Sequence, residues 1–441
     1  MTHKTSKQRQ LFMEAACEAI DEGRFISIIG DTIRNEHIFD INNDNNIGLH
    51  RAFWDNEEPI YRTDTKPITQ EMAQMMNAHH LDIDQNISDE IDCSDESIQQ
   101  DEKWVHNLSI DFEKMNITEE LAYFWAKSLE RDEGEDLKYP LADSFNIARV
   151  AQFITFLDDR DAKKEYLKFL KHTLLKGAYE VAKLEGDEEE IAYINHLNKR
   201  VREFNTFSDL VAELDFPRFP MGKSRSTEDP IHLLANLGQE LYITTSYHNF
   251  IERELESINR KPRTRICHWH DGIKVSPEHK DVLGEVPSRE SPIVFHLFGL
   301  EDYPESLILS ENDYLDMLWA LGRNEIGANH TGLEIIPSYV EAGLRDSPLL
   351  LLGYRLHDWD LRVVLRGLCR DRQGVPERLE NKSMAIQIDI QKQPLVIDAD
   401  HAEAYLRNYY GKQVSNLNVD FDASLTFVKA LCDQYYSWEW G

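Results

Sequence analysis

The sequence predicts an α/β fold in which a mostly parallel sheet is flanked by helices. Three observations support this prediction. Leu349–Leu352 is a continuous apolar run without alternation, as is typical of a strand covered on both faces. Gly353 ends that run, and after Asp358 the apolar residues recur at helical spacing. Strand and helix patterns also alternate towards both ends of the 441-residue chain.

Composition divides the chain into four regions. Residues 1–38 predict a first helix and a first strand, which ends at Gly30. Residues 39–104 are rich in asparagine and then in carboxylates, and are interpreted as an acidic, partly disordered insertion. Residues 105–238 predict a helical lobe inserted between the first two strands, and residues 239–441 complete the sheet. Beyond the central run, the predicted elements of the last region are strands at 241–245, 266–269, 292–297 and 383–389 and helices at 249–258 and 423–436.

Net charge and cysteine content limit the function classes. The formal net charge is −32, which disfavours direct binding to nucleic acids or to anionic membranes. The five cysteines are scattered and lack paired spacing, so neither a disulfide framework nor a zinc site is indicated. No signal peptide or apolar run of roughly 20 residues is apparent, and we expect a soluble, cytoplasmic protein.

Glycine and polar residues follow three predicted strands, where ligands bind in open parallel sheets. Helix amino termini at such turns also attract anionic groups. The loop after the first strand has only one glycine, and Asp31 beside it would repel a phosphate unless it contacts a ribose hydroxyl or a base. Alternatively, the glycines only end core strands and Asp358 only caps a helix. The candidate nucleotide-binding residues are Gly30, Asp31, Thr32, Thr245, Gly353, Tyr354, His357 and Asp358.

The histidine pair His268 and His270 has the spacing of residues on one face of a strand, which can bind a metal ion. Two ligands do not complete a metal site, and no further ligand occurs nearby at a fixed spacing. The sequence therefore predicts no metal, and the pair is interpreted as polar residues at the sheet edge.

Four segments carry motifs in a fixed order: YITTSYHNFIE at 242–252, VFHLFG at 294–299, ESLILSENDY at 305–314 and SPLLLLGYRLHDWDLR at 347–362. They resemble the segments TTNYDxxxE, KLHG, LVLTExDY and SSLLFLGYSLxDWDFR of bacterial sirtuin-like proteins. FISIIG at 25–30 falls where that family has a glycine-rich loop, and FNIARVAQFITF at 145–156 is similar to its VAQYL helix. The resemblance extends in order over residues 116–438.

The resemblance implies a Rossmann-like fold and NAD+ as the substrate. Many such proteins hydrolyse NAD+ to nicotinamide and ADP-ribose and are effectors of anti-phage defence, in which NAD+ depletion causes abortive infection. They work as oligomers or with a defence partner such as an Argonaute, an ATPase or a nucleotide-processing enzyme. We therefore expect a homo-oligomer, a defence partner protein, or both.

The resemblance also locates the catalytic positions, and there this chain departs from the family. The family's asparagine aligns with Ser246 and its histidine aligns with Phe298, which cannot transfer a proton. His248 and Asn249 follow Ser246 as possible replacements. His296 precedes Phe298 by two residues and would share its face of a strand, displaced by roughly 6–7 Å. Alternatively, His296 is a buried histidine hydrogen-bonded within the sheet.

Two classes of function follow. The first is an NAD+ hydrolase activated by assembly or by a partner, with Ser246, His248, Asn249 and His296 as its candidate catalytic residues. The second is a degenerate member that binds NAD+ or a related nucleotide as a sensor or scaffold without turnover. A nuclease is a more distant third class, because the sequence contains no compact set of carboxylates for two metal ions.

Overall fold

The structure is a computed structural model of the protein. It describes residues 2–31, 33, 117–133, 139–141, 143–157, 160–214, 229–280, 285–324, 335–354, 359–365, 384–387, 398–413, 417–420 and 424–439. The predicted acidic insertion at residues 39–104 lies outside the described residues.

A seven-stranded sheet forms the centre of the fold, with its strands in the order β3-β4-β2-β1-β5-β6-β7. Every neighbouring pair of strands is parallel. These features, with helices between the strands, confirm the predicted Rossmann-like α/β fold. The strands are β1 (Ile26–Ile29), β2 (Leu241–Thr244), β3 (Arg263–Ile266), β4 (Ile293–His296), β5 (Leu349–Leu352), β6 (Met384–Gln387) and β7 (Leu417–Asp420).

The central strands are apolar because both faces of the sheet are covered. All four residues are buried in each of β1, β2, β4 and β5. The strand β5 covers the same residues as the apolar run Leu349–Leu352, which has no polar position to mark a solvent face.

The connections between strands change direction at β1, which lies between β2 and β5. The chain builds β2, β3 and β4 on one side of β1 and then builds β5, β6 and β7 on the other. Such a reversal leaves a crevice at the carboxyl ends of the central strands, where ligands bind in sheets of this kind.

The described residues contain thirteen α-helices, six of them between β1 and β2. They are α1 (Thr2–Asp21), α2 (Ile117–Glu133), α3 (Ile147–Thr155), α4 (Ala162–Glu185), α5 (Glu188–Lys199), α6 (Phe207–Glu213), α7 (Pro230–Asn236), α8 (Phe250–Ser257), α9 (Glu311–Asn324), α10 (Ser338–Asp346), α11 (Trp359–Val363), α12 (Ala399–Gln413) and α13 (Ser424–Glu439). None of the helices in the described part of the chain is long and apolar enough to cross a membrane.

Local sequence explains the boundaries of the helices that face the crevice. The side chain of Asn146 accepts hydrogen bonds from the first turn of α3, and Asp161 caps α4 in the same way. Gly186 ends α4 with a φ of 71°, a left-handed conformation that glycine adopts without strain. Trp125 of α2 packs on Tyr166 of α4 with ring centroids 5.0 Å apart, which joins the two helices.

Two strands differ from the sequence prediction. The strand predicted at 266–269 occurs earlier, at Arg263–Ile266, because it pairs in register with β4 from Arg263 opposite Ile293. His268 and His270 therefore follow the strand. The edge strand β7 was not predicted, since Leu417–Asp420 alternates apolar and polar residues over only four positions.

Candidate active site

A cleft of about 680 Å³, a volume that includes its open mouth, lies at the carboxyl ends of β1, β2 and β5. Asp31 follows β1, Thr245 and Tyr247 follow β2, and Gly353 follows β5. The rest of the lining comes from the helical segment and from loops near α9 and α11: Thr118, Phe145, Asn146, Ile147, Ala148, Tyr166, Leu309, Tyr314, Trp359 and Asp360.

Two glycines bring the ends of β1 and β5 together beneath the cleft. The amide of Gly30 donates to the carbonyl oxygen of Leu352 at 2.8 Å. A Cβ atom on Gly30 would lie 2.2 Å from the carbonyl oxygen of Gly353, so a side chain does not fit there. Gly353 has a φ of 72°, a conformation that L side chains rarely adopt. The glycines therefore serve close backbone packing, and their contact with a nucleotide stays a prediction.

Ser246 and Asp31 form a hydrogen-bonded pair at the edge of the cleft. The Ser246 hydroxyl donates to Asp31 Oδ1 at 2.9 Å. Beside them, the Thr245 hydroxyl donates to the hydroxyl oxygen of Tyr354 at 3.3 Å, and both of these side chains are buried. The structure thus brings four of the predicted residues together, although of these four only Asp31 and Thr245 line the cleft.

Tyr314 and Trp359 form an aromatic wall in the cleft that also contains Asp31 and Asp360. The ring of Tyr314 stacks on that of Trp359, with centroids 6.1 Å apart and planes 20° apart. The Tyr314 hydroxyl donates to Asp360 Oδ1 at 2.6 Å. Phe298 is fully buried behind this wall and meets Tyr314 edge to face at 5.6 Å. The buried ring of Phe298 therefore supports the Tyr314 side of this wall.

Tyr247 contributes a neutral phenol to the cleft. Its hydroxyl donates to the carbonyl oxygen of Ile308 at 2.5 Å. Burial raises the pKa of Tyr247 well above its ordinary value of 10.0, and the negative charges of Asp360 and Asp31 raise it further. The phenol therefore stays protonated at neutral pH.

His296 is fully buried beneath the β2 loop, and it does not line the cleft. Its Nδ1 lies 3.2 Å from the carbonyl oxygen of Ser246, and its Nε2 lies 2.8 Å from Glu252 Oε1. The same Glu252 oxygen accepts a hydrogen bond from Thr264 at 2.8 Å. Both ring nitrogens are thus engaged away from the cleft, the geometry of a hydrogen-bonded core histidine. Its catalytic role stays a prediction without a contact in the cleft to support it.

His248 points towards the helical segment and forms a buried ion pair. Its Nδ1 lies 3.1 Å from Glu301 Oε1, and both residues are at most 3% exposed. Glu301 also accepts hydrogen bonds from the backbone amides of Phe207 and Ser208 at the start of α6, at 2.6 and 3.2 Å. The pair therefore links the loop after β2 to α6.

The two partners of this pair shift each other's pKa. Burial alone would lower the pKa of His248, but the negative charge of Glu301 outweighs burial and raises it. Burial alone would raise the pKa of Glu301, but the charge of His248 and several hydrogen bonds outweigh burial and lower it. A charged pair is the state that these opposite shifts favour.

The remaining predicted residues lie outside the cleft or outside the described chain. Asn249 accepts a hydrogen bond from Arg253 Nε at 2.7 Å and does not line the cleft. Thr32, His357 and Asp358 lie outside the described residues. No group of three or more histidine, cysteine, aspartate or glutamate side chains in the described residues has the arrangement of a metal site.

Sequence reasoning missed Tyr166, Tyr314 and Asp360 as site residues. Tyr314 and Asp360 lie within two of the motif segments, and that placement was the available signal. The described residues that line the cleft include two carboxylates and no lysine, arginine or histidine. The two carboxylates make this part of the cleft suitable for a ligand group that is polar or cationic.

The structure is that of an α/β protein with a cleft at the switch point of a parallel sheet. Residues 240–410 match the family described as SIR2-like domain, so this region is sirtuin-like. The match includes Thr245, Tyr314, Gly353 and Asp360, whereas Asp31 lies before it. Domains of this type use NAD+, which indicates a function related to NAD+. No curated protein matches the chain.

Proposed function

We propose that the cleft binds NAD+ and hydrolyses the bond between nicotinamide and ribose, which releases nicotinamide and ADP-ribose. The observation that carries this proposal is the placement of Asp31 and Asp360 in one cleft at the ends of β1, β2 and β5. Breaking an N-glycosidic bond builds positive charge on the ribose, as in the oxocarbenium-like transition states of glycosidases. Fixed carboxylates beside that charge stabilise the transition state.

The aromatic wall supports the same assignment. The nicotinamide ring of NAD+ is planar and positively charged, and such rings are attracted to the faces of tyrosine and tryptophan. Tyr314 and Trp359 offer stacked rings with Asp360 hydrogen-bonded to one of them. Thr245 and Asp31 line the same cleft and are polar groups of the kind that hydrogen-bond to ribose hydroxyls.

A second function, nucleotide binding without cleavage, is favoured by one specific observation. In the motif resemblance Phe298 aligns with the family's histidine, and in the structure His248 and His296 each contact a glutamate outside the cleft. A chain that has lost its base in this way would act as a sensor or scaffold. The hydrolase is preferred because two carboxylates remain in the cleft.

The biological role proposed here is that of an effector in bacterial anti-phage defence, which depletes cellular NAD+ and so aborts infection. The support for this role is the resemblance of the motif segments to sirtuin-like defence proteins. On the same basis we propose that the chain assembles as a homo-oligomer or with a defence partner. Co-purification with a neighbouring gene product, followed by measurement of NAD+ in infected cells, tests the role.

The activity itself is tested with purified protein and NAD+, alone and with the candidate partner, by separating the products over time. Equal amounts of nicotinamide and ADP-ribose support the hydrolase. Stable NAD+ with saturable binding of ADP-ribose supports the second function, and neither cleavage nor binding contradicts both. Glu189→Gln is a suitable control, since it removes an exposed carboxylate on α5, outside the cleft, and should leave activity unchanged.

A further inference from the structure

We propose that Asp31 is the catalytic base that removes a proton from the attacking water, with Ser246 as the residue that positions it. This inference rests on the proposed hydrolase function. Asp31 and Ser246 together supply the base and the polar positioning group that the resemblance assigns to a histidine and an asparagine in sirtuin-like proteins.

The hydrogen bonds around Ser246 fix its direction. The backbone amide of His248 donates to Ser246 Oγ at 3.4 Å, and the hydroxyl donates in turn to Asp31 Oδ1 at 2.9 Å. A backbone amide can only donate, so the hydroxyl proton is left to point at Asp31. Ser246 is 7% exposed and does not line the cleft, whereas Asp31 does. The Ser246 hydroxyl thus orients the Asp31 carboxylate, which lines the cleft.

Asp31 is better placed for this role than Asp360. Asp360 accepts the Tyr314 hydroxyl at 2.6 Å and belongs to the aromatic wall. Asp31 directly follows Gly30 at the end of the central strand, beside Thr245 and Gly353. Among the described residues, the charged and titratable groups around it include Asp360, Tyr247, Tyr166 and Tyr314 in the cleft, and Tyr354 and His248 outside it.

The proposed reaction needs only one base. The bond between the ribose C1′ and the nicotinamide nitrogen breaks, and its electron pair stays on that nitrogen, which makes nicotinamide neutral. The water oxygen bonds to C1′, and its proton passes to the Asp31 carboxylate and then to solvent. Nicotinamide leaves without needing a proton, so no general acid is required. A phenylalanine at position 298 is therefore compatible with turnover.

The primary test compares Asp31→Asn with Asp360→Asn, which change the same charge in the same cleft with little change of shape. We expect Asp31→Asn to lower kcat for NAD+ hydrolysis by about 100- to 10,000-fold, the usual contribution of a general base. We expect Asp360→Asn to lower kcat far less, and both variants to bind ADP-ribose within a few-fold of the parent. Equal losses of kcat in the two variants would overturn the assignment.

Azide provides a second readout, because it is a nucleophile that does not need to lose a proton. Added azide should restore nicotinamide release by Asp31→Asn, with an ADP-ribosyl azide as the product, and should leave the parent rate nearly unchanged. A failure of azide to accelerate Asp31→Asn would contradict the role of Asp31 as a base.

The positioning role of Ser246 is tested by the pH dependence of kcat. In Ser246→Ala the ionised carboxylate loses the hydrogen bond that stabilises it, so the acidic limb of the profile should move to higher pH. A uniform loss of activity with an unmoved profile would contradict the positioning role.

Cleavage of NAD+ by the parent protein distinguishes a failure of this inference from a failure of the proposed hydrolase function. A parent that does not cleave NAD+ under any condition overturns both. A parent that cleaves NAD+, together with an Asp31→Asn variant of unchanged kcat, overturns only the assignment of Asp31.

Discussion

The carbonyl oxygen of Gly353 lies 2.2 Å from the place that a Cβ atom on Gly30 would occupy. The contact joins backbone to backbone, since the nearest atoms to that place are the carbonyl atoms of Gly353. No side-chain rotation can therefore relieve a clash there. The two loops that border the cleft on β1 and β5 depend on this close approach.

We predict that Gly30→Ala destabilises the protein and disturbs the cleft. Overpacking in a core typically costs about 1–3 kcal/mol, and a rigid backbone neighbour places this site at the upper end. Urea unfolding measures the free energy of unfolding, and titration with ADP-ribose measures the affinity of the cleft for a nucleotide. Gly322→Ala in α9 is the control, because nothing lies within 4 Å of its added Cβ and alanine favours a helix by about 0.5–1 kcal/mol. Equal stability of the two variants would contradict the prediction.

The stability contributed by His248 and Glu301 should depend on pH. The pKa of His248 is raised in the folded protein, so its contribution is fully present below its ordinary value of 6.5 and is lost as pH rises through the folded pKa. The pKa of Glu301 is lowered, so its contribution is present above 4.5 and is lost as pH falls through the folded pKa.

The pair therefore stabilises the fold most between those two ordinary values. We predict that His248→Gln reduces the free energy of unfolding more at roughly pH 6 than at roughly pH 8.5. Urea unfolding of the parent and the variant at both pH values measures the difference. His401→Gln is the matched control, because His401 also pairs with a carboxylate, Asp398 at 2.8 Å, but on the exposed surface, where an ion pair contributes little to stability. A loss that is the same at both pH values would show that His248 contributes by packing alone.

Much of the sheet can be predicted from the sequence, because a short uninterrupted apolar run that ends at a turn residue is typical of a buried strand. The run at Leu349–Leu352 became β5 without a change of boundary, and β1 and β2 end within one residue of their predicted ends. The short edge strand β7 could not be predicted, because four alternating residues are equally compatible with a loop.

The site was predictable only where its residues follow strands. Asp31, Thr245 and Gly353 meet at the cleft because parallel strands present their carboxyl ends at one edge. Tyr166 reaches the cleft from α4, a helix that no strand position specifies. The orientation of the histidine side chains depends on partners that are distant in sequence, since His296 contacts Glu252 and His248 contacts Glu301. Residue spacing contains no information about such pairings.

The buried contact between His296 and Glu252 should appear as an energetic coupling. Removing one member of a buried charged or hydrogen-bonded pair typically costs about 3–5 kcal/mol, because the other is left without its partner. We predict a large loss of stability for His296→Ala and for Glu252→Ala. The double variant should cost less than the sum of the two, by about 0.5–3 kcal/mol. Urea unfolding of the parent, the two single variants and the double variant measures this double-mutant cycle. Additive losses in the free energy of unfolding would contradict the coupling.

Tyr314→Phe should weaken the cleft wall without removing its ring. The variant keeps the stacking on Trp359 but removes the hydrogen bond to Asp360, and a bond to a charged group typically contributes about 1.5–3 kcal/mol. We predict a loss of stability in this range together with weaker binding of NAD+, because Asp360 then loses one of the contacts that orient it in the cleft. Unfolding and NAD+ titration measure the two effects. Tyr405→Phe on α12, whose side chain is 61% exposed, should change neither. Unaltered NAD+ binding by Tyr314→Phe would show that the orientation of Asp360 does not depend on this hydroxyl.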